Sequence, residues 1–193
     1  MQWRSSSRVR PSSGFIEPCI PTPSKHAPVG PDWVYEIKQD GYRLMVRKHS
    51  DRVRIYTRRG ADWTKRFPRI VKAVQRMRES SVLLDGEGIV SDHTGMANFD
   101  LLHSKKHDRD VSLCAFDLLE LNGEDVRKRA LLDRKTRLQK LLAKTEEAAH
   151  YNEHIEGEGS VVFKHACKLG CEGIVAKRKD LPYESGRSRR WLK

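Results

Sequence analysis

The sequence contains no apolar run long enough to cross a bilayer as a helix, and its N-terminus lacks the apolar core of a secretory leader. A cytoplasmic protein with no membrane partner is therefore expected. Aromatic residues make up only 7% of the 193 positions and hydrophobic residues only 37%, enough for one large domain or two small ones. The four cysteines, Cys19, Cys114, Cys167 and Cys171, are too few and too scattered for a disulfide scaffold. Cys167 and Cys171 lie one helical turn apart near His165. They are expected to be two small buried thiols. His93, His103 and His107 fall in polar stretches that read as surface. No Gly-x-x-x-x-Gly-Lys-Ser/Thr loop occurs, Gly157-x-Gly159 completes no dinucleotide fingerprint, and no serine sits in a nucleophile elbow. These absences argue against P-loop, nicotinamide-type and serine-hydrolase chemistry.

Acidic residues are also scarce: 26 against 38 lysines and arginines, for a net charge of +12. Such an excess fits a polyanionic partner, either nucleic acid or a nucleotide. Met1 to Arg10 carries Arg4, Arg8 and Arg10 with no acid and reads as a basic tail, which places the boundary of the folded domain near residue 15. Pro11 to Pro31 is proline-rich and is expected to lie extended over the domain, anchored by Ile16 and Ile20. Strands Trp33–Ile37, Leu44–Lys48 and Val53–Thr57 follow and read as a meander. Phe67–Met77 has helical apolar spacing, Ser81–Val90 reads as two short strands, Asn98–Ser104 as a short helix and Val111–Leu121 as a strand. A helix over Asp133–Leu142, a strand over Ala148–Ile155, a helix over Gly159–Leu169 and a core strand over Gly173–Lys177 complete the pattern. Short strands with interspersed helices give an α+β fold, mainly antiparallel.

The chemistry concentrates where charged residues terminate apolar strands. In Lys38-Gln39-Asp40-Gly41-Tyr42-Arg43, a lysine follows a buried-looking strand and precedes an Asp-Gly turn. Lys38 is thus held at a strand end, with Arg43 returning toward it. An amine attacks phosphorus only when neutral, and burial or neighbouring cations favour that form. Thr57-Arg58-Arg59-Gly60 closes a strand with paired arginines, and Leu84-Asp85-Gly86-Glu87 sets two carboxylates around a glycine. Ala115-Phe116-Asp117 places an aromatic beside an acid, and Glu172-Gly173-Ile174-Val175-Ala176-Lys177 brackets a strand with opposite charges. Carboxylates hold hard divalent cations, arginine and lysine cradle phosphate oxygens, and an aromatic face stacks on a base. Any one cluster reads as a solvated hairpin end; five in succession do not.

Together these clusters resemble the ordered motifs of covalent nucleotidyltransferases. Specifically, they are similar to the ATP-grasp-like adenylation domain of ATP-dependent DNA ligases of the bacterial end-joining type, from about Phe15 to Lys193. Phe116-Asp117-Leu118-Leu119-Glu120-Leu121-Asn122-Gly123-Glu124-Asp125 and Tyr183-Glu184-Ser185-Gly186-Arg187-Ser188 extend the likeness beyond the catalytic positions. The resemblance implies antiparallel sheets and flanking helices around a nucleotide cleft. It implies that Lys38 attacks the α-phosphate of ATP and becomes a lysyl-adenylate. Glu36 and Ile37 would border the adenine, with Glu36 reading its edge and Phe116 stacking on the ring. Arg43 and Arg58 would meet ribose or phosphate oxygens, including the 5′-phosphate of a nick. Lys177 and Lys193 would contact the α-phosphate, while Glu87 and Glu172 would serve the ribose and a bound Mg2+ or Mn2+.

The implied partner is nicked or broken double-stranded DNA, which would associate the protein with the nucleoid. The family's last motif, Trp-x-Lys-x-Lys, leads into an oligonucleotide-binding barrel, whereas this sequence stops at Trp191-Leu192-Lys193. The expectation is an adenylation domain without its barrel, acting slowly or with a separate chain that supplies one. Two alternatives remain open at this point: a nucleotide- or DNA-binding module that seals nothing, and an RNA ligase or capping-type transferase.

Overall fold

The computed structural model describes residues 14–145 and 148–193; the N-terminal basic tail read from the sequence lies outside them up to residue 13. In chain order the elements are β1 (Cys19–Thr22), β2 (Trp33–Ile37), β3 (Tyr42–His49), β4 (Arg52–Thr57), α1 (Pro68–Gln75) and β5 (Ser81–Ile89). There follow α2 (Phe99–His103), β6 (Ser112–Leu121), β7 (Glu124–Asp125), α3 (Leu131–Leu142) and β8 (Ala149–Tyr151). β9 (His154–Ile155), α4 (Gly159–Lys168), β10 (Ile174–Arg178) and β11 (Gly186–Leu192) complete the described residues. The fold is α+β, and its pairings are antiparallel except β1 with β11 and β6 with β8.

The strands form two sheets. One has the order β4-β3-β5-β6-β7, with β8 also on β6; the other has the order β1-β11-β10-β2-β9. This overturns the expected meander: β3 and β4 form a hairpin, but β2 pairs with β10 and β9 in the other sheet. Residues 38–41 are therefore a crossover between sheets rather than a hairpin turn. Gly41 is required there by contact, since a Cβ would sit 2.3 Å from the carbonyl oxygen of Gly88. Gly86 is likewise a mid-strand residue and not a turn. Ser81–Ile89 is one continuous strand, and a Cβ on Gly86 would lie 2.8 Å from the Cys114 carbonyl oxygen beside a register shift in the β5–β6 pair.

The expected single strand over 148–155 is two: β8 joins the first sheet and β9 the second, with Asn152 between them. The proline-rich segment lies across the domain but contains β1, with Cys19 as its buried residue, while Ile16 packs against the core only partly buried. Strands β1, β7 and β11 have no counterpart in the sequence reading. The cysteine expectation also fails: Cys167 is exposed and Cys171 half-buried, whereas Cys19 and Cys114 are buried.

Three apolar clusters follow from the layering. The largest packs α1, α2 and α3 on one face of the first sheet through residues such as Phe67, Ile70, Leu102, Leu138 and Leu142. A second, with Met45, Leu83, Phe116, Tyr183 and Trp191, lies where the two sheets meet. The third seats α4 on the second sheet through Tyr35, Val162, Ala166 and Ile174. The seam between the sheets opens into the cleft described next.

Candidate active site

β2 delivers the central residues. Val34 and Tyr35 are fully buried, Glu36 turns inward from the middle of the sheet, and Lys38 emerges just past the strand end. The Lys38 amide hydrogen-bonds the Gly173 carbonyl at 3.0 Å, which fixes the backbone there against the approach to β10. The Lys38 ammonium forms an ion pair with the Glu172 carboxylate. Beside the cations expected around this lysine, a carboxylate lies directly against it.

A cleft of about 220 Å3 opens at this point. The second sheet lines it with Glu36, Ile37, Lys38, Lys177 and Lys193. The first sheet contributes Arg43, Arg58, Glu87 and Phe116. Every nucleotide-binding or nucleophilic residue expected from the sequence thus meets in one cavity, and Glu172 reaches it through its pair with Lys38.

Arg43 is held by Asp85 through two hydrogen bonds, Nε at 2.5 Å and Nη2 at 2.7 Å, and also donates to the Cys19 carbonyl at 3.0 Å. Burial opposes its charge, but Asp85 more than offsets this and raises the guanidinium's pKa. Asp85 also accepts from the Tyr183 hydroxyl at 2.7 Å, which in turn accepts the Cys19 amide at 2.7 Å. The Arg43 guanidinium lies 4.5 Å from the Phe116 ring centroid and the Lys177 ammonium 4.3 Å from it. Lys177 is also 4.0 Å from the Trp191 ring. Cations of both sheets therefore gather on the aromatic floor of the cleft.

Burial acts on every charged residue here, and their partners offset it to different extents. It pushes the Glu87 carboxyl up to about 7, helped by Asp85 and Glu172 and only partly offset by Arg43 and Lys38. It pulls Lys177 down to about 8 even though Glu36 accepts from it, and Lys135 adds to the lowering. Glu36 is driven the other way: burial disfavours its charge, but Lys135 and Lys177 together hold its pKa below the ordinary carboxylate value. Its Oε1 accepts from Lys135 at 2.7 Å; its Oε2 accepts from Lys177 at 2.7 Å and from Asn152 at 3.1 Å.

The sequence reading missed Lys135, Asn152 and the lining role of Trp191. A signal for Lys135 existed. It stands four residues after Leu131 and three before Leu138, on the buried stripe of α3, where a lysine must find partners within the fold. Arg134, next to it, is fully buried and paired through two nitrogens with Asp117, at 2.7 Å and 2.8 Å.

Comparison with known proteins bears on the same segment. The ATP dependent DNA ligase domain family matches residues 24–193. The multifunctional non-homologous end joining protein LigD of Pseudomonas aeruginosa is 36% identical over 187 residues, covering 95% of this chain and 22% of its own length. The SPbeta prophage-derived DNA ligase-like protein LigB of Bacillus subtilis is 31% identical over 188 residues, covering 93% of this chain and 67% of itself. Against the crystal structure of the ligase domain from M. tuberculosis LigD the TM-score is 0.84 at 32% identity, over 94% of this chain and 61% of that one. Mycobacterial DNA ligase D complexed with ATP and MES gives 0.81 at 32% identity, over 91% and 58%. The chain thus spans less than a quarter of the Pseudomonas and mycobacterial LigD proteins. With the family matched over residues 24–193, and Lys38, the cations and the aromatic floor converging on one cleft, the chain belongs to the ATP dependent DNA ligase domain family.

Proposed function

We propose that residues 15–193 are the nucleotidyl-transfer core of an ATP-dependent DNA ligase, which adenylates itself at Lys38 and passes AMP to the 5′-phosphate of nicked or broken DNA. The observation that carries this reading is the convergence of Lys38, Arg43, Glu87, Phe116 and Lys177, from two sheets, on one cleft. In the first step the Lys38 Nζ lone pair forms an N–P bond to the α-phosphorus while the α–β bridging P–O bond breaks. Pyrophosphate leaves with that electron pair. Glu172, already paired with Lys38, is placed to take the ammonium proton. Lys177 is charged below about pH 8 and faces the cleft, so it supplies positive charge to the α-phosphate, with Arg43 beyond the Phe116 ring. An oxygen of a DNA 5′-phosphate then attacks the same phosphorus, breaking the N–P bond. Attack by the adjacent 3′-hydroxyl expels AMP and seals the strand. The net charge of +12 and the end-joining names of the relatives support DNA as the substrate and nucleoid association.

The donor set suits magnesium or manganese, which are usually held by one or two carboxylates plus substrate phosphates. Glu87, raised to about 7 by burial with Asp85 and Glu172 nearby, is a carboxylate whose charge Arg43 and Lys38 compensate only in part, and Glu172 is its natural companion. Such an ion, when bound, neutralises charge on the reacting phosphates. Incubation with α-labelled ATP and magnesium followed by denaturing electrophoresis tests the reading. We expect a labelled band that Lys38→Ala abolishes and that nicked DNA chases into sealed product. Undiminished labelling of Lys38→Ala would overturn the assignment of the nucleophile. A band that persists through the chase would reduce the protein to a self-adenylating module.

A further inference from the structure

Three cleft-lining residues from different segments share a partner that does not line the cleft. The Lys135 ammonium, fully buried on α3, donates to Glu36 Oε1 at 2.7 Å, to the Asn152 carbonyl at 3.0 Å and to the Phe116 carbonyl at 3.4 Å. An ammonium has three N–H donors, and all three are used. Asn152 then grips the chain on either side of the nucleophile. Its Nδ2 donates to the Ile37 carbonyl at 3.3 Å and to Glu36 Oε2 at 3.1 Å, and its Oδ1 accepts from the Gln39 side chain at 3.3 Å. The same Glu36 oxygen, Oε2, also accepts from Lys177 at 2.7 Å. Burying a lysine is costly unless its charge and every donor are satisfied. Apolar packing alone would be served by leucine at this position of the α3 stripe.

We propose that Lys135 is a positioning residue for nucleotidyl transfer: through Glu36 and Asn152 it clamps the residues flanking Lys38 and holds Lys177 facing the cleft. The inference rests on the lysyl-adenylate reading above. Lys177 is the element that reports on the clamp. It faces Glu36 on β2, Lys135 on α3 and Asp117 on β6, and it shares the Phe116 and Trp191 rings with Arg43. Removing the Lys135 charge takes away a like-charge neighbour and lets Lys177 stay protonated to higher pH.

The test compares Lys135→Met, Lys135→Arg and Asn152→Ala in two assays. The first is the single-turnover rate of adenylate formation at saturating ATP. Displacing a nucleophile by about 1 Å lowers rates on the order of a hundredfold. A loss of about 10- to 100-fold is expected for Lys135→Met and Asn152→Ala, with partial rescue by arginine, which keeps the charge. The second is calorimetric ATP affinity between pH 7 and 10 in a Lys38→Ala background, where no covalent step intervenes. The alkaline loss of affinity is expected to move upward in Lys135→Met. If Lys135→Met is folded by circular dichroism, forms adenylate at the wild-type rate and keeps the wild-type pH limb, the clamp is wrong. Should Lys135→Met not fold, a wild-type rate in Asn152→Ala overturns the proposal just as directly. A wild-type protein that takes up no label instead refutes the lysyl-adenylate reading itself.

Discussion

The two sheets are built on opposite plans. In the first, β3, β4, β5 and β6 pair with partners near them in sequence, and β5 and β6 are nine- and ten-residue strands at its centre. In the second, the neighbouring strands β2 and β10 are five residues each, and the order β1-β11-β10-β2-β9 joins the two ends of the described chain. Pairing neighbours closes short loops, whereas pairing β2 with β10 closes a loop of well over a hundred residues before any contact repays it. The proposed nucleophile rides on the second plan. Lys38, Lys177 and Lys193 come from the long-range sheet, and Arg43, Glu87 and Phe116 from the local one. The cleft is therefore complete only when the sheet that closes the longest loops has closed.

The harshest way to break this arrangement is at Asp117. Arg134 and Asp117 are both fully buried, and Arg134 also donates to the Arg129 and Leu181 carbonyls, tying α3 and the segment before β11 to the first sheet. Asp117→Ala leaves a buried guanidinium without its counter-ion. The expected cost is roughly 3–5 kcal/mol, measured by urea denaturation, with loss of the native fold near room temperature as the extreme outcome. A cost below about 1 kcal/mol would mean that water reaches Arg134 easily.

The contrast between sheets also marks what the sequence makes legible. Helical and alternating patterns are local, so Phe67–Met77, Asn98–Ser104, Gly159–Leu169 and Val111–Leu121 are found within a few residues of α1, α2, α4 and β6. The site residues are legible for a similar reason, since each sits in a short string of charge and glycine at a strand end. Partners across the chain are not local. Nothing near Trp33–Ile37 says that it pairs with Ile174–Arg178 rather than with the next strand. β1 and β11 defeat the pattern because Cys19–Thr22 is proline-interrupted and Gly186–Leu192 is mostly polar; they are strands because β1 pairs with β11 and β11 with β10. Arg134 and Lys135 read as ordinary basic residues of a helix until Asp117 and Glu36 are seen opposite them.

A milder perturbation is pH. Lys177 titrates at about 8 in the folded protein, against 10.5 for an unburied lysine. Between these values the unfolded chain binds the proton and the folded chain does not, so stability rises with pH. The burden of a buried charge is fully present below pH 8 and is relieved between about 8 and 10.5. The full shift corresponds to about 3 kcal/mol at 1.4 kcal/mol per pKa unit. In Lys177→Met this rise should vanish while Glu36 keeps Lys135 as its partner. Urea unfolding of both proteins at pH 7.5 and 10 decides it, and parallel pH dependence would show that Lys177 does not carry the effect.

Gly41→Ala strikes the crossover itself. The new methyl meets the Gly88 backbone carbonyl at 2.3 Å, which neither rotation nor a flexible side chain can relieve. Overpacking of this kind costs about 1–3 kcal/mol. Because the displaced residues lie three from Lys38, the adenylation rate should fall further than the stability loss alone accounts for. A variant destabilised with an unimpaired rate would mean that the crossover can shift without moving the nucleophile.

The subtlest consequence is a difference in local opening. Amides of β5 and β6, in the middle of the first sheet and covered by α1 and α3, should exchange with solvent only by global unfolding. Those of β2 and β10 have a two-residue strand, β9, beyond one side of the pair, and α4 is their principal cover. Their opening free energy should lie on the order of 1 kcal/mol or more below the global value. Native-state hydrogen exchange resolves this residue by residue. Adding ATP should raise protection selectively in β2 and β10 if it binds as proposed, because Lys38, Lys177 and Phe116 line one cleft only when the second sheet is closed on the first. Equal protection in both sheets without nucleotide would mean that the long-range sheet, once formed, is as cooperative as the local one. The cleft would then be a rigid product of folding rather than a seam whose closure ATP reinforces.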